Sequence, residues 1–174
     1  VGVGHTMPLF MTNQKPHLAA ALLGNFCALV LDFIARVKVG GTHLTYGYLK
    51  QLPVIPPDRY TEADLAFIVP RVLELTYTAH DLAAWAADLG YTGAPFPFDP
   101  DRRTTLRAEL DTYYAHLYGL DLDETRYILD PADVMGEDYP SETFRVLKNK
   151  ERIPGTNQYR TQQLVLQEFS AQCG

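Results

Sequence analysis

Two cysteines, one tryptophan and no familiar catalytic signature leave this 174-residue chain short of most residues that announce chemistry. Cys27 lies in an apolar run and Cys173 is next to last. They make neither a disulfide framework nor a zinc spacing, which points to a reducing, cytoplasmic setting. Five histidines, at 5, 17, 43, 80 and 116, have no partner three or four residues away, so a metal site built on one helix is not supported. Gly-x-Ser-x-Gly, a phosphate loop and a Cys with an evident His partner are all missing. The opening VGVGH contains Gly2-x-Gly4, but the strand before and the helix after that a dinucleotide loop needs are not visible, and the match is read as chance. Nothing at the start resembles a signal peptide, and a chain beginning at Val1 is read as part of a longer protein.

Positive charge is also scarce. Fifteen Lys and Arg against 21 Asp and Glu give a net charge of −6, which argues against a freestanding nucleic-acid binder. The deficit is uneven. Residues 1–57 hold Lys15, Arg36, Lys38 and Lys50 against Asp32 alone, whereas residues 58–138 hold 17 acids and 6 bases. Residues 139–174 are mildly basic again, with five bases and three acids. Either the acidic middle is a solvated helical surface, or only the two ends can face a phosphate backbone. Most of the acids stand at expected helix starts, where the helix dipole favours them. Capping explains them better than acid–base catalysis, and the chain by itself is not expected to be an enzyme.

What is present is a composition 47% hydrophobic and 21% charged, ordinary for a globular chain with a sizeable core. Residues 18–35 are nearly all apolar, broken by Asn25 and Asp32. Leu18, Leu22, Phe26, Val30, Phe33 or Ile34, and Val37 recur at helical spacing, and Pro16 suits a first turn, so a long buried helix is expected. A membrane span would be short and would bury both polar residues in lipid, so no membrane partner is expected. Asp32 and Arg36 can pair on one face.

Further along, Thr61 with Asp64, Asp99 before Pro100, and Asp121 with Glu124 read as helix starts. Pro70 should kink or restart the first of these helices. Ser141 and the region near Gln158 open two more. The expected fold class is therefore mainly α, a helical bundle-like domain with a small β element near residues 42–55. The expected division is 1–57, a long apolar helix plus a strand or turn, followed by 58–174, a helical C-terminal region.

The stretch KVGGTHLTYGYLKQLPVIPP, Lys38 to Pro57, carries two adjacent glycines, two lysines and no acid. Gly40 and Gly41 would let a backbone come close to a phosphate, while Lys38 and Lys50 neutralise charge. Thr42, His43, Thr45, Tyr46 and Tyr48 could bond to phosphate, sugar or a base edge. The competing reading is that the glycines close a helix and the tyrosines pack inward from a half-buried strand. Arg145, Lys148, Lys150 and Arg152 form a second basic cluster, read as a solvated face.

The segment from Leu22 to Tyr60, LLGNFCALVLDFIARVKVGGTHLTYGYLKQLPVIPPDRY, resembles the C-terminal part of type IIG-like adenine-specific DNA methyltransferases of bacterial restriction–modification and phage-defence systems. The resemblance continues through YPSETFRVLKNKE and YRTQQLVL and covers residues 20–168. It implies a target-recognition region joined to helices, working beside a catalytic domain of the same parent chain that binds S-adenosylmethionine. The catalytic Asn-Pro-Pro-Tyr-type motif is missing here, and IPPDRY does not supply it. The resemblance thus implies double-stranded DNA and the parent's methyltransferase domain as partners, with no cofactor in this part. With DNA as the expected partner, the candidate DNA-binding set read from the residues of this stretch is Lys38, Gly40, Gly41, Thr42, His43, Thr45, Tyr46 and Lys50. The rival expectation is a helical protein-interaction module that docks the methyltransferase to another domain or subunit.

Overall fold

A computed structural model describes residues 10–41 and 43–172. Ten α-helices follow one another among them. They are α1 (Pro16–Cys27), α2 (Leu29–Lys38), α3 (Tyr46–Leu49), α4 (Glu62–Thr76) and α5 (Ala83–Asp88), then α6 (Pro100–Leu117), α7 (Leu122–Leu129), α8 (Pro131–Met135), α9 (Arg145–Lys150) and α10 (Arg160–Gln172). The fold is mainly α and bundle-like, as expected.

The small β element near 42–55 is not formed among the described residues. Tyr46–Leu49 instead makes one helical turn, closed by the Leu49 N–H on Thr45 O at 2.9 Å and the Lys50 N–H on Tyr46 O at 3.1 Å. A strand needs a partner for its alternating donors and acceptors. Among the described residues, the single pairing of that kind is an antiparallel bridge between Arg152 and Tyr159, far along the chain. His43, Leu44, Thr45 and Tyr46 are all exposed, so no inward-facing row forms either.

The long apolar helix divides in two. Ala28 is extended at φ −69°, ψ 139°, and α2 leaves α1 at 57°. The backbone N–H of Leu29, freed by the break, donates to Asp111 Oδ1 on α6 at 2.8 Å. No single helix among the described residues is long and apolar enough to cross a membrane.

Where the caps were local, they form as expected. Thr61 and Asp64 bond each other's backbone in a full capping box, as do Asp121 and Glu124. Asp99 caps α6 through the N–H groups of Asp101 and Arg102. Pro70 sits exposed inside α4 without ending it. Ser141, expected to open a helix, instead donates its hydroxyl to Asp130, and α9 starts after Phe144.

Packing centres on α1, α4 and α6. Ala20, Ala21, Ile68, Val69, Val72, Leu110 and Tyr114 form the largest buried cluster. Small residues on α1 set how near the helices come. A Cβ at Gly24 would stand 2.8 Å from the Tyr114 hydroxyl and 3.2 Å from Val72 Cγ2. That hydroxyl, fully buried, donates to Ala21 O at 2.7 Å. A second cluster joins α2, α7 and α10 through Val30, Ile128 and Phe169. Along α6, Thr112 donates to Val165 O of α10 at 3.1 Å, and Ala108 and Val165 pack with Leu129.

Candidate nucleic-acid interface

The segment after α2 leaves the packed layers. Lys38 is the last residue of α2, and Val39 caps it with an N–H on Ala35 O. Gly40 and Gly41 follow, both exposed, with no atom within 4 Å of where a Cβ would stand. Positive φ is confined, among the described residues, to Gly90, Gly119, Gly136 and Gly155. The conformation of Gly40 and Gly41 therefore does not itself demand glycine. What their hydrogens leave is bare, approachable backbone. Thr42 lies outside the described residues.

His43, Thr45, Tyr46 and Lys50 are exposed. Thr45 holds the N-cap position of α3, yet its hydroxyl makes no cap bond. Lys38 and Lys50 make no ion pair among the described residues, although Arg36, two residues before Lys38, is held by Asp32 at 2.9 Å. The stretch thus puts two uncommitted ammonium groups on either side of a glycine-bearing loop. Apolar side chains are exposed with them: Val37, Leu44, Tyr46 and Tyr48 all face solvent to a third or more of their surface.

The second basic cluster is differently placed. Lys148 bonds Asp130 Oδ2 at 2.8 Å and Ser141 Oγ at 2.9 Å, and only 22% of its side chain is exposed. It neutralises a buried carboxylate rather than belonging to the solvated face expected of it. Arg145 pairs with Glu142 at 3.0 Å on the surface.

Below the exposed segment, α1, α2 and α6 enclose a groove of about 670 Å³. Leu23, Phe26, Leu31 and Leu110 line it, and Leu44, Leu49 and Leu52 contribute from the segment above. Its polar groups include Arg107 and Asp111. Burial pushes the Asp111 carboxyl up to about 7, against the Leu29 N–H and the Arg107 charge, which both favour the ionised form; Asp32 adds to the rise.

The residues that fix the segment's exit were not singled out from the sequence as site residues. Asn25, fully buried on α1, donates through Nδ2 to the Tyr118 hydroxyl at 2.8 Å and accepts the Ile55 N–H on Oδ1 at 3.0 Å. The Tyr118 hydroxyl in turn donates to Pro53 O at 2.9 Å. The signal for them was an asparagine inside an apolar run. Such a residue is costly in a core unless both ends of its amide are used.

No family model matches this chain, and neither does any curated protein or solved structure.

Proposed function

We propose that this chain is the target-recognition and helical C-terminal part of an S-adenosylmethionine-dependent adenine-specific DNA methyltransferase of a restriction–modification or phage-defence system. It contacts double-stranded DNA and is not catalytic by itself. The methyl donor and the catalytic motif belong to the methyltransferase domain of the parent chain, working in the cytoplasm. This part steadies the duplex while the target adenine is turned out of the stack into a pocket there.

The observation that supports the reading is the pair of exposed ammonium groups of Lys38 and Lys50, without ion pairs among the described residues, around the bare backbone of Gly40 and Gly41. Lysines with no carboxylate partner release counterions when they meet phosphates, and backbone without side chains admits a close approach. His43, Thr45 and Tyr46 share the exposed segment and bring hydrogen-bonding groups to it. Titrating a labelled duplex with the chain at increasing salt tests the reading. Affinity should fall steeply as salt rises, and absence of binding at low salt would refute it.

A second reading is favoured by one observation. Val37, Leu44, Tyr46 and Tyr48 expose apolar surface in the same segment. A helical interaction module would cover that surface with another domain or subunit of the methyltransferase, and would show negligible duplex binding at any salt.

A further inference from the structure

We infer that Asn25 and Tyr118 form a positioning latch that holds the 43–52 segment in place against the helical core. For its consequence in DNA contact, the inference rests on the function proposed above. The latch itself stands on geometry alone.

A fully buried asparagine in the last turn of an apolar helix is a costly choice where a leucine would fill similar space. Here both ends of the amide are occupied, and both lead to one stretch of backbone. Oδ1 takes the Ile55 N–H directly, and Nδ2 orients the Tyr118 hydroxyl, which donates to Pro53 O. This acceptor and donor, two residues apart, are groups that a neighbouring strand would otherwise take up. No strand is formed beside them among the described residues. Pro53, Pro56 and Pro57 have no N–H of their own to offer. Two side chains from α1 and the end of α6 therefore do the work of a missing sheet partner.

The position of the latch gives it its role. The exposed segment begins where α2 ends, at Lys38, and is fastened again at Pro53 and Ile55, just beyond Lys50 and the half-turn that carries Leu52 inward. Between these two points α3 contributes only one turn of helix, and a single turn is not stable alone. Leu49 and Leu52 pack it onto the groove, and the fastening at its far end completes its placement. Releasing the second fastening frees α3 and Lys50 without touching the α4–α6 packing.

Tyr118→Phe keeps the ring and removes the hydroxyl that links Asn25 to Pro53. In the variant, amide exchange at Ile55, Leu49 and Gln51 should quicken about tenfold, while amides of α4 and α6 keep their rates. Duplex affinity should fall about three- to tenfold, with a shallower dependence on salt, because fewer phosphates are reached in one geometry. A purely structural loss leaves that slope unchanged, since the unfolded fraction of a stable chain is negligible. Asn25→Ala is the second variant and should speed the same amides. Unchanged exchange at Ile55 in both variants overturns the latch. Faster exchange at Ile55 with unaltered rates at Leu49 and Gln51 overturns its hold on α3. Faster exchange at all three with unaltered duplex affinity and slope overturns the positioning role. A wild-type chain that binds no duplex defeats the proposed function instead, and the positioning of DNA contacts with it. The exchange rates then still decide whether the latch holds the segment.

Discussion

The α1–α4–α6 layer and the segment between α2 and α4 are built from similar residue types, yet they differ in what those residues are committed to. In the layer, Tyr114 is fully buried and spends its hydroxyl on Ala21 O, and Gly24 is small because Tyr114 stands over it. In the segment, Tyr46 and Tyr48 lie open, Gly40 and Gly41 face empty space, and two lysines have no counter-charge among the described residues. Identical side chains can therefore be structure in one place and open surface in another. The distinguishing quantity is how many of their polar groups are already satisfied.

The layer is where a single substitution should break this contrast most severely. Tyr114→Ala should cost about 3–5 kcal/mol by chemical denaturation, because it opens a cavity between α1, α4 and α6 and strips a buried carbonyl of its donor. The same substitution at Tyr46, 57% exposed, should change stability by less than about 0.5 kcal/mol.

Between these extremes lies the joint where α1 breaks into α2. Asp111 accepts the Leu29 N–H there from inside the protein, and burial raises its carboxyl to about 7. The native state therefore binds this proton more tightly than the unfolded chain, whose carboxylates titrate near 4. Between about pH 4 and pH 7 this group's contribution to stability falls as pH rises, and above that it is constant. Asp111→Asn keeps the acceptor for Leu29 and removes the charge. Denaturation at pH 8 should show the variant more stable by about 1–4 kcal/mol, with the difference shrinking toward pH 4. A difference independent of pH would mean that the carboxyl titrates normally.

How legible each region was follows from how far its causes reach along the chain. Thr61 with Asp64, Asp99, and Asp121 with Glu124 all cap helices as expected, because a cap is decided by three or four neighbouring residues. The break at Ala28 was not readable in an unbroken apolar run. The group that receives the liberated N–H, Asp111, is on another helix 82 positions away. The strand expected near 42–55 failed for a related reason. Thr, Tyr and Val supply strand composition, but composition does not supply a partner, and side chains of α1 and the end of α6 took that place instead. Lys148 reads with its neighbours as a solvated face because its partner, Asp130, stands well back along the chain at the N-cap of α8. For the candidate interface, the sequence marked Lys38, Gly40, Gly41 and Lys50 by spacing and by the lack of nearby acids. Asn25 is marked by its place in an apolar run, but its link to Tyr118, 93 positions away, shows only in the fold.

The smallest expected effect on stability belongs to the lysines, and it is also the most informative about function. Lys38→Ala with Lys50→Ala should leave the denaturation midpoint almost unmoved, since neither ammonium makes an ion pair among the described residues. The salt dependence of duplex binding is the direct measurement. If both ammonium groups lie on phosphates, the slope of log affinity against log salt should be shallower in the double variant by about 1.8, or about 0.9 for each phosphate no longer neutralised. Equal slopes for the double variant and the wild-type chain, measured on the same duplex, would contradict the assignment of this segment to DNA.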